Sequence, residues 1–202
     1  MNISIIAAMD RKRGIGKNNK IPWHIKEDLI KLKNLTKDHV VILGRKTYDS
    51  MVWYYNKSGK EMPGKLYIVI TRDKSYKPTR YNAEVADSLE GALKIAKEKH
   101  LRGARSCHLG GGEARYRLAS GEAWTSTPPR WSLGREKEVF IIGGGQIFQQ
   151  ALRLANKLYL TIVRGDFNCD TFFPDYSEFK KVIHEESKEG EGYKYKFIEL
   201  VK

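Results

Sequence analysis

Val139-Phe140-Ile141-Ile142-Gly143-Gly144-Gly145-Gln146-Ile147-Phe148 is the stretch on which the reading of this chain turns. Four consecutive apolar residues, three of them β-branched, read as a strand covered on both faces. Three glycines then interrupt it, and residues 146–155 resume with Ile147, Ala151 and Leu154 at helical spacing. A strand, a glycine turn and a helix in that order form one unit of an α/β fold. They also leave unpaired amides at the positive end of a helix, where phosphate binds well. The spacing falls short of the full G-x-G-x-x-G dinucleotide pattern, and a tight turn needing positive φ would use the same glycines.

The same alternation continues on either side. Apolar runs at 3–8, 40–43, 66–70 and 158–163 read as further buried strands. Residues 25–35 carry Ile25, Leu29, Leu32 and Leu35 on one helical stripe. Residues 89–100 follow an Asp87-Ser88 cap and turn Leu89, Ala92, Leu93 and Ala96 inward. The pattern predicts an α/β domain with a central, mostly parallel sheet and flanking helices. Segments 180–186 and 193–201 flank Gly190-Glu191-Gly192 and predict an antiparallel hairpin at the C-terminal edge of that sheet. Two stretches interrupt the single domain spanning 1–202, and both are expected to be insertions. Residues 52–61 read as an aromatic and polar loop. Residues 102–137, rich in Gly, Arg and Ser and containing Pro128-Pro129, read as a long, partly mobile excursion. Within it, Leu109-Gly110-Gly111-Gly112-Glu113 imitates the turn at 142–146 but lacks a clean strand before it.

Composition narrows the possibilities. A chain of 202 residues with 41% hydrophobic and 11% aromatic residues can bury one good core, which argues against wholesale disorder. No apolar run is long enough for a membrane-spanning helix, and Met1-Asn2-Ile3-Ser4-Ile5-Ile6 reads as a strand rather than a signal segment. Cys107 and Cys169 have neither metal-ligand nor disulfide-framework spacing, so no metal and a reducing cytoplasm are expected. The net charge of +13 favours anionic partners: nucleic acid, an acidic membrane surface, or a phosphorylated cofactor. Much of it lies in Lys-rich helices and turns, where solvation alone accounts for it.

Several positions carry chemistry. Asp28 shares the stripe of Ile25, Leu29 and Leu32, and a carboxylate on an apolar face is costly unless paired. It is either a charge at the rim of an amphipathic helix or an anion set in a pocket to grip two adjacent N–H donors of a heterocycle. Gly44-Arg45-Lys46-Thr47 follows one strand, Thr71-Arg72 another, and Gly143-Gly144-Gly145 a third. Three strand ends bringing glycine, cations and hydroxyls to one rim suggest a polyphosphate crevice at the carboxyl edge of the sheet. Gly14-Ile15-Gly16-Lys17-Asn18-Asn19, leading into Ile21-Pro22-Trp23, has the profile of a lid, or of an ordinary surface turn.

Ile6-Ala7-Ala8, Ile15-Gly16, Ile21-Pro22-Trp23, the Asp28 helix, Gly44-Arg45-Lys46-Thr47, Pro63-Gly64, Ile142-Gly143-Gly144-Gly145, Leu158-Tyr159-Leu160-Thr161 and Asp170-Thr171-Phe172-Phe173-Pro174 stand in the order of dihydrofolate reductases. In this the chain resembles that family over nearly its whole length, residues 52–61 and 102–137 excepted. The resemblance implies NADPH-dependent reduction of dihydrofolate, free or polyglutamylated, in support of one-carbon and thymidylate metabolism. It implies that Asp28 binds the 2-amino group and N3 of the pterin, with Thr161 in the same network and Trp23 holding an ordered water. Ile6, Ala8, Leu32, Met51, Met62, Ile142 and Phe148 would form apolar walls, and Lys65 would face the glutamate carboxylate. Ala8, Ile15, Gly16, Asn19 and Ile21 would border the nicotinamide. Gly44, Arg45, Lys46, Thr47, Thr71 and Arg72 would hold the adenine half, and Gly143, Gly144, Gly145, Gln146 and Ile147 the pyrophosphate and its riboses.

There are departures from the family pattern. Lys65 stands where an arginine is usual, which keeps the charge and loses the two-pronged geometry, so looser folate binding is expected. Phe148 replaces a frequent tyrosine, Leu32 a frequent phenylalanine, and Arg164 a frequent acid. A pyrimidine reductase of the riboflavin pathway would share the fold and the glycine turn, but Asp28 and Ile21-Pro22-Trp23 are folate-type. Nucleic acid is not an expected partner, because no basic stripe with interleaved aromatics is present. A monomer is expected.

Overall fold

The computed structural model describes residues 1–105, 116–117, 124–125 and 138–202. In chain order the strands and helices are β1 (Asn2–Asp10), β2 (Gly14–Gly16), α1 (Lys26–Thr36), β3 (Val40–Gly44), α2 (Arg45–Ser58), β4 (Leu66–Ile70), β5 (Ala83–Ala86) and α3 (Leu89–Arg105). Then come β6 (Tyr116–Arg117), β7 (Trp124–Thr125), β8 (Glu138–Ile141), α4 (Gly145–Ala151) with a 3-10 turn at Leu152–Leu154, β9 (Lys157–Val163), β10 (Thr171–Phe172), β11 (Lys181–Gly190) and β12 (Tyr193–Val201). Eight strands form one sheet in the order β11-β12-β9-β1-β8-β3-β4-β5, with β1, β3, β4, β5, β8 and β9 mutually parallel. Only β12 runs against them, pairing with β9 on one side and β11 on the other. This is the mostly parallel sheet with an antiparallel C-terminal edge that the residue pattern predicts.

Strand alternation divides the core into two faces. Ile5, Ala7, Val40, Ile42, Ile68, Val139, Ile141, Leu158 and Leu160 point toward α3 and α4, where they meet Leu89, Ala92, Ala96, Ile147 and Ala151. The intervening residues point toward α1 and α2. Val41, Leu43, Tyr67 and Val69 lie under α2, while Ile6, Phe140 and Tyr159 lie under Leu32 and Leu35 of α1. Strands β1 and β8 are central, so Ile6 and Ile142 lie on the floor between these two helices. That floor positions the site.

Three features depart from the residue-level reading. Residues 52–58 are helix, not loop: Tyr48, Met51, Val52 and Tyr55 recur at helical spacing and pack on Val41, Tyr67 and Val69. The helix runs on until Gly59, left-handed at φ 65°, where the N–H groups of Gly59 and Lys60 return to the carbonyls of Asn56 and Tyr55. Leu154, expected inside, is exposed, because the chain tightens into the 3-10 turn and rotates it outward. Strand β5, Ala83-Glu84-Val85-Ala86, is too short and mixed in polarity to stand out from the residues. The Ser88 cap is in place, its Oγ accepting the Gly91 N–H at 3.2 Å. Residues 102–105, expected to open the excursion, instead continue α3, and most of 106–137, including Cys107 and the glycine run at 110–112, lies outside the described residues.

Candidate active site

The acid-bearing half of the candidate site is built on α1. Asp28 is the third residue of that helix, and Thr161 on β9 donates its hydroxyl to Asp28 Oδ1 at 2.6 Å. Thr161 is 3% exposed and sits beside Ala8 in the parallel β1–β9 pairing. The two readings left open for Asp28 are thereby separated, because its carboxylate points inward and is paired. Burial pushes the Asp28 carboxyl above the usual carboxylate range, against the Thr161 hydrogen bond and the Lys31 charge, which both lower it. Trp23, 6% exposed, packs with Ile25, Val163, Tyr195 and Phe197 and borders Ala8. Among the described residues its buried indole N–H finds no hydrogen-bond partner, which is uncommon for a buried donor.

Apolar walls continue from this acid. Ile6 and Ile142 pack with Leu32 and Leu35 on the α1 side. Ile142 also joins Met51 and Met62 on the α2 side, so it bridges the two helices from below. Phe148 is more deeply set, its ring tilted by 57° against Phe173 at 5.0 Å between centroids. Lys65 stands apart from Asp28, exposed, with its backbone N–H on the His39 carbonyl beside the turn that ends α1. Eight residues of helix separate Asp28 from Thr36 at that end, roughly 12 Å at 1.5 Å per residue.

The glycine turn forms the other half. Gly143 lies at φ 142°, its peptide to Gly144 is cis, and its carbonyl accepts the Gly44 N–H at 2.8 Å. This bond ties the ends of β8 and β3 together. A side chain on Gly143 would come within 3.3 Å of Thr47 Oγ1, and one on Gly145 within 2.9 Å of Thr171 Cγ2. The turn is therefore a narrow, backbone-walled cradle between Thr47 and the β2–β10 ladder. Ile15 Cδ1 closes its far side, 3.7 Å from the position a Gly145 Cβ would occupy. Gln146 is exposed at the start of α4, and Ile147 turns into the core.

Cations line the adjacent rim. Arg45 opens α2 with its guanidinium 5.8 Å from the Tyr76 ring centroid. Arg72 is exposed beyond β4, where the Thr71 N–H binds the Ala86 carbonyl. Among the described residues neither arginine forms an ion pair. Lys46 is engaged elsewhere, its Nζ donating to Asn19 Oδ1 at 3.0 Å. That bond draws the loop after β2 toward α2. The loop itself is ordered by reciprocal Lys17–Lys20 backbone bonds around Asn18 and Asn19, both at positive φ, and by the Asn18 N–H on Asp170. Gly16 pairs with Thr171, whereas Ile21 projects into solvent, 61% exposed.

The structure thus pairs Asp28 with Thr161, packs Ile6 and Ile142 with Leu32 and Trp23 with Ala8, joins Met51 to Ile142, and ties the glycine turn to the end of β3. Residue reasoning missed the grip of the C-terminal hairpin on α1. Tyr195 donates to Glu27 Oε2 at 2.9 Å, and the Lys26 N–H binds Glu191 Oε2 at 2.6 Å. Contacts spanning more than 160 residues leave no local signal.

The mostly parallel sheet, the glycine turn after a central strand and the threonine-paired acid on a flanking helix are those of a nucleotide-dependent oxidoreductase scaffold. A family model described as dihydrofolate reductase matches residues 2–126 and 123–202. The chain is 33% identical over 199 residues to a dihydrofolate reductase of Staphylococcus haemolyticus, covering 98% of this chain and 92% of that protein. It is 31% identical over 209 residues to one of Buchnera aphidicola, covering 100% and 99%. A dihydrofolate reductase from Enterococcus faecalis, solved in complex with NADP(H) and RAB-propyl, superposes with a TM-score of 0.68 at 21% identity, covering 99% of this chain and 95% of that one. The chain belongs to the dihydrofolate reductase family.

Proposed function

We propose that this chain reduces 7,8-dihydrofolate to 5,6,7,8-tetrahydrofolate with NADPH, in support of one-carbon and thymidylate metabolism. The observation that carries the reading is the part-buried Asp28–Thr161 pair, in a chain whose glycine turn after β8 is a narrow, backbone-walled cradle. An inward carboxylate with one oxygen on Thr161 retains free lone pairs for the two adjacent N–H donors of a pterin. Ile6, Ala8, Leu32, Met51 and Ile142 suit the flat ring and the benzoyl group beyond it. Lys65, exposed beside the turn that ends α1, suits the glutamate carboxylate.

The residues present fit NADPH. Gly143, Gly144 and Gly145 form a cradle that a Cβ would fill, and Arg45 and Arg72, without an ion pair among the described residues, offer cations next in sequence to Gly44 and Thr71. These residues would hold its phosphates, with Arg45 and Arg72 toward the 2′-phosphate, while Ala8, Ile15 and Gly16 would border the nicotinamide. The chemistry that bound NADPH supplies is a hydride to C6. The chain itself aligns the rings between apolar walls, which keeps water from the transfer. Asp28 orients the pterin and, with its raised pKa, favours protonation of the bound ring system. The Trp23 N–H, without a partner among the described residues, suits a water that relays the proton to N5.

The experiment is to follow NADPH oxidation on adding dihydrofolate, with the pyrimidinone substrate of the riboflavin pathway in a parallel arm. Turnover with dihydrofolate alone is expected. Turnover only in the parallel arm would overturn the reading.

A further inference from the structure

Helix α1 begins without a cap of its own. Ile25 occupies the cap position in an extended conformation and has no side-chain acceptor. Asp28, in the first turn, accepts instead from Thr161. An uncapped first turn exposes backbone N–H groups and frays readily, yet this turn carries the acid on which the site depends.

The missing acceptor comes from the far end of the chain. Strands β11 and β12 are joined by Glu191 and Gly192, both at positive φ (55° and 82°), a tight two-residue turn that projects the Glu191 side chain sideways. Its Oε2 accepts the Lys26 N–H at 2.6 Å. The same hairpin also holds the next residue. Tyr195 donates to Glu27, and Lys188 Nζ lies 3.3 Å from Glu27 Oε2. Phe197, two residues beyond Tyr195, pairs in register with Thr161. One hairpin therefore holds Lys26 and Glu27, the two residues before Asp28, and the strand that presents Asp28's own partner.

We propose that Glu191 is a positioning residue for substrate binding, capping α1 from the hairpin turn and, with the Tyr195–Glu27 bond, setting Asp28 at the depth where it meets Thr161. Without it the first turn of α1 opens, and bound substrate must reorder the turn before Asp28 can grip it. Losses of this kind raise KM and leave kcat nearly unchanged, since the ordering is complete once substrate is bound. A charged cap at a helix start accounts for about 2- to 30-fold.

The test uses the full chain with Glu191→Ala and Glu191→Gln, the latter keeping the acceptor oxygen without the charge. For Glu191→Ala, amide hydrogen exchange at Lys26, Glu27 and Asp28 is expected to speed by about 5-fold or more. KM for dihydrofolate is expected to rise about 5- to 30-fold with kcat and NADPH affinity within about 2-fold, and Glu191→Gln to recover most of the KM. Unchanged exchange in that turn would overturn the proposal. So would a joint fall of kcat, cofactor affinity and melting temperature that Glu191→Gln fails to rescue. The kinetic arm rests on the folate reading, whereas the exchange arm does not. A parent that fails to turn over dihydrofolate would defeat that reading and leave the cap to be decided by exchange alone.

Discussion

Replacing Asp28 by Asn separates what the acid does for binding from what it costs the fold. The substitution keeps shape and an Oδ1 acceptor for Thr161, so the 2.6 Å bond survives while the charge is lost. Two hydrogen bonds from a pterin to a carboxylate contribute about 1.5–3 kcal/mol each, so kcat/KM is expected to fall by about 10²–10⁴-fold. Stability should move the other way. Because burial raises the folded-state pKa of Asp28, the folded chain keeps this proton to a higher pH than the unfolded chain. Between the unfolded and folded pKa values the native state therefore binds more protons, and stability falls as pH rises through that window. Above the folded value the whole penalty is present; below the unfolded value it is absent. Asp28→Asn removes the penalty, so the variant should melt above the parent near neutral pH and level with it below about pH 3. The assays are NADPH-coupled steady-state kinetics and melting curves at both pH values. Turnover within about 3-fold of the parent would refute the assigned grip on the pterin. A variant destabilised more at neutral than at acid pH would refute the sign of the burial argument.

Other expectations follow from the same geometry. Lys65→Arg restores a two-pronged cation at the end of α1 and is expected to lower KM for dihydrofolate by about 3- to 10-fold, read from the same assay. Gly145→Ala places a methyl 2.9 Å from Thr171 Cγ2 and presses on the β2–β10 ladder. NADPH affinity, measured by fluorescence titration, should weaken by about 10-fold or more, a cost of about 1–3 kcal/mol for overpacking. Replacing residues 106–137 by a short Gly/Ser linker should leave turnover intact. Strand β8 is held by β1 on one side and β3 on the other, and neither pairing uses that segment. Loss of soluble, active protein would show that the segment belongs to the working fold.

Much of this was legible in the residues, and the reason is local. Buried parallel strands must be apolar on both faces, so 139–142, 40–43 and 66–70 declare themselves without knowledge of their neighbours. The glycine turn was equally plain, because only glycine tolerates the φ of Gly143 with Thr47 pressed against it. Where the reading failed, at 52–58, a stripe of Tyr48, Met51, Val52 and Tyr55 was present. Exposed Trp53 and Tyr54 on the other side of the helix obscured it.

The order of the main strands and helices and the glycine turn were determined by sequence alone, because each rests on a periodicity or a steric limit within a few residues. Only the tertiary structure could decide that Asp28 meets Thr161, that burial outweighs its hydrogen bond and the Lys31 charge, and that Glu191 caps the helix bearing it. Desolvation depends on how much protein surrounds a group from every direction, and partners 133 and 165 residues away are brought together only by the folded sheet.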